Sequence, residues 1–264
     1  KKGDIMLKKL IAITLENNKR RELDLMTADN SHIIEFMEQA PEGTLLLFLP
    51  EAQTEKAIIM CPGGGFRQVN LQHEGSDYAT WFDAQDITYA VLKYRLPEGN
   101  HLAPSEDITR AIHLLRQGIE EKHFQKIGVL GASIGGYMAA YAGVSRLADF
   151  QALLYSVISM ESALTHLPSR QRMFGKELTE AEERAFSLQY QVDENTAPAF
   201  IAATEDDPAV NPMNSLIYAE TLLRNHVPVS LHIYPDGGHS FGFKDSFPYK
   251  KNYLEELKKW LMTL

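Results

Sequence analysis

The feature that most constrains the fold is the stretch from Lys126 to Ala140, which reads KIGVLGASIGGYMAA. An apolar run typical of a strand ends at Gly131, and small and apolar residues typical of a helix begin after Ser133. A nucleophile on a sharp strand-to-helix turn needs such a Gly-x-Ser-x-Gly sequence, because its neighbours must let strand and helix approach closely. The turn would lift the Ser133 hydroxyl clear of the sheet and aim the N-terminus of the next helix at a developing oxyanion. An ordinary glycine-rich turn carries the same pattern, so the flanking strand and helix give the motif its weight.

Strand-like and helix-like runs alternate along most of the chain. The predicted strands are 44–50, 56–61, 87–94, 126–131, 152–158, 199–203 and 229–234. The predicted helices are 72–84, 104–120, a run after Ser133, 214–224 and 249–262. This alternation predicts an α/β fold, with a mostly parallel central sheet and helices on both faces. Residues 5–40 are expected to form an N-terminal arm with one or two outer strands.

Residues 161–195, called the cap segment below, interrupt this alternation. They are polar and acidic, and a capping box from Thr179 to Glu182 predicts a short helix. Because the cap segment lies between two predicted strands, we expect it to cover the ends of the sheet. A length of 264 residues suits one domain over residues 1–264, although length alone leaves two smaller domains open.

Partners for Ser133 are expected in loops that follow later strands, since functional groups of open α/β sheets gather at the carboxyl ends of strands. Asp206 and Asp207 follow the run 199–203, and His239 follows the run 229–234. The order Ser, Asp, His is the one expected of an α/β-hydrolase. Asp207 is favoured because an orienting carboxylate must lie at one fixed distance from the imidazole, and Asp206 stays open. A turn-forming role for the aspartates and a loop histidine without function are the simpler alternatives.

The glycine loop, residues 62–66, follows another strand and reads PGGGF. Consecutive glycines let backbone N–H groups turn inward without obstruction by side chains. The N–H groups of Gly64, Gly65 and Ile134 are therefore predicted to bind an oxyanion. A phosphate cradle is the competing interpretation, although no Gly-Lys-Ser/Thr sequence follows. The third interpretation is a turn with a purely structural role.

Composition excludes several classes of function. The formal net charge of −9 argues against nucleic acid or an anionic membrane as the main partner. No apolar run approaches the ~18–20 residues that span a bilayer. The single cysteine, Cys61, permits no intrachain disulfide, which fits a cytoplasmic location. No metal-ligand spacing is present, so neither a metal nor another cofactor is predicted, and a homodimer stays open as the oligomeric state.

With these elements in place, the chain resembles α/β-hydrolase esterases of the acetyl esterase and lipase kind. It is most similar to the branch with Pro-Gly-Gly-Gly in the glycine loop, which includes xylan and feruloyl esterases. The matching stretches are 61–66, 93–96, 103–107, 131–136, 154–159, 206–212 and 238–242. The resemblance implies a triad of Ser133, Asp207 and His239, with oxyanion donors at Gly64, Gly65 and Ile134. Two departures are Pro62, where commoner esterases have His, and Ser156, where this branch usually has Pro.

The favoured function is a serine carboxylic-ester hydrolase for small acyl esters, with acetylated sugars as the implied substrates and a small-molecule ester as the partner. A serine peptidase of the prolyl-oligopeptidase kind ranks second, because the sequence shows no large N-terminal propeller that would gate a peptide. The third hypothesis is a ligand-binding protein without turnover on a hydrolase scaffold, since a fold does not fix a function.

Overall fold

The computed structural model describes residues 7–51 and 54–264. Within those residues the strands are β1 (Leu7–Thr14), β2 (Arg20–Asp24), β3 (Thr44–Pro50), β4 (Lys56–Cys61), β5 (Ile87–Lys93), β6 (Lys126–Ala132), β7 (Phe150–Leu154), β8 (Ala199–Thr204) and β9 (Val229–Tyr234). The helices are α1 (Asn30–Glu38), α2 (Ala79–Asp83), α3 (Leu102–Gln117), α4 (Ile134–Val144), α5 (Leu167–Phe174), α6 (Glu180–Phe186), α7 (Met213–Arg224) and α8 (Lys250–Leu261). No helix in this part of the chain is long and apolar enough to cross a membrane.

All nine strands form a single sheet in the order β2-β1-β3-β5-β4-β6-β7-β8-β9. Neighbouring strands from β5 through β4 to β9 pair in parallel, whereas β1, β2 and β3 form an antiparallel edge. The prediction of a mostly parallel central sheet is therefore confirmed. Because β4, β6, β7 and β8 run in parallel, their carboxyl ends lie along one edge, where the loops of the candidate site begin.

Helices cover both faces of the sheet. Alternate strand side chains point to opposite faces, so Ile59 and Cys61 belong to one core, whereas Ile58 and Met60 belong to the other. Helices α3, α4 and α7 contribute buried side chains to the first core, and α1, α2 and α8 contribute to the second. Strand β4 is apolar throughout after Lys56 because both of its faces are covered.

Several predicted boundaries shift in the structure. The predicted strand 152–158 is wrong beyond Leu154, because Tyr155 has a φ of +40° that turns the chain out of the sheet. The predicted helix 72–84 is instead a 3₁₀ turn at Ser76–Tyr78 followed by the short α2. The N-terminal arm contains two strands, as expected, and also α1, which was not predicted; residues 5 and 6 of the arm lie outside the described residues.

The cap segment contains α5, α6 and a 3₁₀ turn at Leu188–Tyr190. Thr179 and Glu182 form the predicted capping box at the start of α6. A largely buried ion pair between Arg170 and Glu183, 2.6 Å long, joins α5 to α6. Pairing a buried guanidinium in this way avoids the large free-energy cost of an isolated buried charge.

Candidate active site

Ser133 lies on the sharp turn between β6 and α4. Its φ of +54° and ψ of −122° fall in a region that non-glycine residues rarely adopt, which stores backbone strain at this position. The turn is tightly packed, because a Cβ on Gly135 would lie 2.0 Å from the carbonyl oxygen of Cys61. A Cβ on Gly131 would likewise lie 2.3 Å from the carbonyl oxygen of Gly135. The glycines of the motif are thus required by the close approach of strand and helix.

Three side chains that are distant in the sequence meet at this turn. The Nε2 atom of His239 lies 2.9 Å from the Oγ atom of Ser133. The Nδ1 atom of His239 lies 2.7 Å from the Oδ2 atom of Asp207. An Nδ1–H that donates to the carboxylate leaves Nε2 free to accept the serine proton, so the chain of contacts runs from hydroxyl to imidazole to carboxylate.

The two neighbouring aspartates have different partners. The Asp207 side chain is 1% exposed, and its second oxygen accepts hydrogen bonds from the backbone N–H groups of Ala209 and Val210. Asp206 is exposed and accepts hydrogen bonds from Gly238 and Gly237, which lowers the pKa of its carboxyl group. Asp207 therefore contacts the imidazole, whereas Asp206 holds the loop that bears it.

The glycine loop is fixed through its carbonyl oxygens. The Tyr94 hydroxyl donates to the oxygen of Pro62, the N–H groups of Arg67 and Gln68 donate to that of Gly64, and a terminal guanidinium nitrogen of Arg172 donates to that of Gly65. Among the described residues, no acceptor contacts the N–H groups of Gly64, Gly65 or Ile134. The three predicted donors are therefore available to an external acceptor.

Two of these glycines have backbone conformations suited to glycine. Gly64 has a φ of +132° and Gly65 a φ of +65°. A Cβ on Gly64 would also lie 2.1 Å from the carbonyl oxygen of Gln68. A side chain is therefore excluded at Gly64 by both conformation and space, and disfavoured at Gly65 by conformation alone.

Sequence reasoning missed the polar residues around this centre. Glu74, 1% exposed, accepts hydrogen bonds from Gly63, Asn70, Tyr155 and Ser240. Glu74 falls in a segment that was predicted as an amphipathic helix, so helical periodicity concealed it. A carboxylate a few residues after a glycine loop was the available signal.

Cap residues cover the glycine loop. A Cβ on Gly65 would lie 3.6 Å from Arg172 Nη1, 3.7 Å from Ser169 Oγ and 4.0 Å from His166 Cε1. Burial lowers the pKa of the half-buried His166 imidazole. The His166 imidazole and the Arg172 guanidinium thus line the glycine loop on the side of the cap segment.

This arrangement can support nucleophilic acyl transfer. The hydroxyl has a base within hydrogen-bonding distance, the base has an orienting carboxylate, and unoccupied N–H groups lie in the adjoining loop. Within the described residues, no group of three or more His, Cys, Asp or Glu side chains could hold a metal ion. Burial raises the pKa of the Cys61 thiol, which disfavours a reactive thiolate there.

Comparison with known proteins places the chain in a family. Residues 102–263 match the sequence model of the prolyl oligopeptidase family, and this region is more than half of the chain. The chain belongs to the prolyl oligopeptidase family. This family member is 29% identical to an acetylxylan esterase of Xylanibacter ruminicola over 267 residues, covering 97% of this chain and 53% of that protein. It is 30% identical to endo-1,4-β-xylanase B of Butyrivibrio fibrisolvens over 203 residues, covering 69% of this chain and 32% of that protein.

Solved structures agree with this assignment. The acetyl ester-xyloside bifunctional hydrolase of Caldicellulosiruptor lactoaceticus superposes on this prolyl oligopeptidase family member with a TM-score of 0.81 at 29% identity, covering 96% of this chain and 95% of that chain. The predicted α/β-hydrolase fold and the resemblance to acetyl esterases are therefore confirmed. The names of these relatives, an esterase and an acetyl ester hydrolase, support the prediction that this chain is an enzyme of the carboxylesterase type. The chain spans about half the length of the first curated relative and about a third of the second.

Proposed function

We propose that this chain is a serine carboxylic-ester hydrolase that removes small acyl groups, acetyl above all, from a sugar-type alcohol. The observation that carries the proposal is the continuous contact from the Ser133 hydroxyl through His239 to Asp207, beside the unoccupied N–H groups of the glycine loop. Relatives named for acetyl ester hydrolysis support the choice of acyl group.

In the proposed mechanism, Ser133 Oγ attacks the ester carbonyl carbon while Nε2 of His239 takes its proton. Asp207 keeps Nδ1–H in place and stabilises the imidazolium that forms. The N–H groups of Gly64, Gly65 and Ile134 bind the oxygen of the tetrahedral intermediate, whose negative charge they stabilise. His239 then returns the proton to the leaving alcohol, and a water molecule releases the acid from the acyl-serine by the same steps in reverse.

The closeness of the cap segment supports a small acyl group. His166, Ser169 and Arg172 lie within about 4 Å of where a methyl group on Gly65 would be, so side chains of the cap segment line this side of the glycine loop. A long acyl chain that entered on this side would have to displace the cap segment. Acetyl esters should therefore be hydrolysed faster than butyrate or octanoate esters.

The test is hydrolysis of p-nitrophenyl acetate and of acetylated xylo-oligosaccharides by the wild type and by Ser133→Ala. The wild type should release acetate, and the variant should lose about 10³-fold or more in kcat because it lacks the nucleophile. Equal rates for the two proteins would contradict the proposal. Labelling of Ser133 by a fluorophosphonate, without turnover of any ester, would instead indicate a different acyl substrate.

The second candidate is a serine peptidase, which the match to the prolyl oligopeptidase family favours. Amide and ester hydrolysis use the same triad, so the leaving group decides between them. Turnover of a dipeptidyl p-nitroanilide with no turnover of acetyl esters would promote this candidate.

A further inference from the structure

We propose that Glu74 is the positioning residue that holds the glycine loop ready to bind an oxyanion, an inference that rests on the proposed function. Glu74 is 1% exposed, and each of its carboxylate oxygens accepts two hydrogen bonds. Gly63 N–H and the Asn70 amide donate to Oε2 over 3.0 Å each. The hydroxyls of Tyr155 and Ser240 donate to Oε1 over 2.8 Å each.

These donors come from three separate parts of the site. Gly63 belongs to the glycine loop, Tyr155 follows β7, and Ser240 is adjacent to His239. The four donors are neutral, and Glu74 forms no ion pair with any described residue. A carboxylate buried in this way is tolerated only because every one of these donors is directed at it. Glu74 therefore links the glycine loop, the segment after β7 and the loop that bears His239.

Among the four donors, Gly63 is the one that Glu74 constrains most. Its N–H donates to Glu74 and its carbonyl oxygen accepts from Asn70 N–H, so both of its polar backbone groups are occupied. A Cβ on Gly63 would lie 2.7 Å from Glu74 Oε2 and 2.9 Å from Ser133 Cβ. Gly63 is thus held between the carboxylate and the nucleophile. With this residue fixed, the next two N–H groups, those of Gly64 and Gly65, keep their direction before substrate arrives, which is the preorganisation that oxyanion binding needs.

The other end of Glu74 supports the imidazole. Ser240, with a φ of +60°, also contacts His73 Nε2 over 3.0 Å. Burial raises the pKa of Tyr155 well above that of a free phenol, so its hydroxyl stays protonated and donates to Glu74. The Tyr155 ring packs edge-on against His239 with a centroid distance of 5.0 Å. Substitutions of Glu74 should nevertheless act mainly through Gly63, whose N–H donates to no other acceptor in the part of the chain that the structure describes.

The test uses two substitutions that separate hydrogen bonding from charge. In Glu74→Gln, the amide oxygen can still accept from Gly63 and Asn70, and the amide nitrogen can donate to the hydroxyls of Tyr155 and Ser240, which accept as well as donate. In Glu74→Ala, the Gly63 N–H loses its acceptor. We expect Glu74→Ala to lower kcat for p-nitrophenyl acetate by about 10²- to 10³-fold with KM changed by less than about threefold, since the lost stabilisation belongs to the transition state.

Glu74→Gln should keep kcat within about tenfold of the wild type, since its hydrogen bonds are weaker but retained. The matched control is Asp107→Asn, which alters another buried carboxylate, one that binds Arg95 rather than a loop of the site. The control should leave kcat within about twofold of the wild type once it is folded. Wild-type kcat in Glu74→Ala would overturn the proposal, and so would an equal loss in Glu74→Gln and Glu74→Ala.

A third variant, Glu74→Asp, tests the proposal if Glu74→Ala is insoluble. Glu74→Asp keeps the charge but is one methylene shorter, so its carboxylate cannot reach Gly63 and Tyr155 together. The proposal requires the kcat of Glu74→Gln to be higher than that of Glu74→Asp. This order is informative because only the aspartate variant keeps the negative charge. The reverse order would overturn it.

Hydrogen–deuterium exchange provides a readout that needs no activity. Amide exchange in residues 62–70 should accelerate in Glu74→Ala and match the wild type in Glu74→Gln and Asp107→Asn, because only the alanine variant releases Gly63. If the wild type hydrolyses no ester, the proposed function fails, and exchange still decides the positioning role. Unchanged exchange of residues 62–70 in Glu74→Ala would overturn that role whatever the activity.

Discussion

At the scale of single residues, the candidate site depends on contacts that tolerate almost no substitution. Asp206 and Asp207 are adjacent in sequence and identical in chemistry, yet only Asp207 is buried against the imidazole of His239. Gly135 and Gly238 likewise share a side chain of one hydrogen, but Gly135 is constrained by the space around it and Gly238 only by its positive φ. These two pairs allow position and residue type to be tested separately.

Asp207→Asn and Asp206→Asn should differ sharply in activity. Asparagine at 207 can present its amide to Nδ1 and favour the wrong tautomer, so kcat should fall by about 10³- to 10⁴-fold. Asparagine at 206 keeps an oxygen for Gly238 N–H at an exposed position, so kcat should fall by no more than about threefold. Steady-state kinetics on p-nitrophenyl acetate measures both, and an equal effect of the two variants would reject Asp207 as the orienting acid.

Gly135→Ala should be far more destabilising than Gly238→Ala. The new methyl at 135 would lie 2.0 Å from the Cys61 carbonyl oxygen, and backbone cannot rotate away as a side chain can, so we expect a cost of about 3 kcal/mol or more. At 238 nothing lies within 4 Å, and only the φ of +63° is unfavourable, which costs about 1 kcal/mol. Urea unfolding gives both values, and a larger loss at 238 would contradict the packing argument.

At the scale of secondary-structure elements, the cap segment and the glycine loop form one unit. Helix α5 reaches the loop through Arg172, whose terminal guanidinium nitrogen also contacts the carbonyl oxygen of Pro168. The backbone N–H of Gly99 donates to the carbonyl oxygen of Arg172. Helix α5 is thus tied both to the glycine loop and to the loop that precedes α3.

Arg172→Ala should loosen the cap segment from the glycine loop. Removing a charged donor from the Gly65 carbonyl oxygen should cost about 1.5 kcal/mol, or about tenfold in kcat/KM. The matched control is Arg184→Ala on α6, whose guanidinium packs on the Tyr190 ring away from the glycine loop. The control should retain kcat/KM, and an equal loss in both variants would indicate a general weakening of the cap segment.

The regular elements could be predicted from the sequence because their signals are local. The apolar run of β4 and the Gly-x-Ser-x-Gly turn each lie within a few residues, so position and type follow from short-range patterns. The sequence shows a carboxylate after the glycine loop but not the role of Glu74, because its partners Tyr155 and Ser240 are brought to it only by the folded sheet. The end of β7 was missed for a similar reason, since Tyr155 is apolar enough to continue a strand and its φ is set by the site.

At the scale of the whole molecule, three half-buried histidines outside the triad couple stability to pH. Burial lowers the pKa of His73, His166 and His232 below the ordinary value of 6.5. As the pH falls through that value, the unfolded chain binds protons while the folded chain does not. The stabilisation is therefore fully present above the unfolded pKa and is lost as the pH falls below it.

The free energy of unfolding should decrease between about pH 7.5 and 5.5, above the range in which carboxylates dominate. His232→Gln should reduce that slope, since His232, which stacks on Phe200 and hydrogen-bonds to Ser230, is replaced by a side chain that does not titrate. Urea unfolding at several pH values measures the slope. The exposed His113→Gln, on α3, is the control, and an equal slope in wild type and His232→Gln would contradict the expected linkage.

The spacing of the triad along the chain has a consequence for biosynthesis. The contact between Ser133 and His239 joins residues 106 positions apart, and the strand before His239, β9, forms the outermost edge of the sheet. A ribosome therefore synthesises Ser133, the proposed nucleophile, long before His239, its proposed base. Under the proposed mechanism, Ser133 gains its base only after β9 has docked on β8, so the hydroxyl would become reactive late in folding.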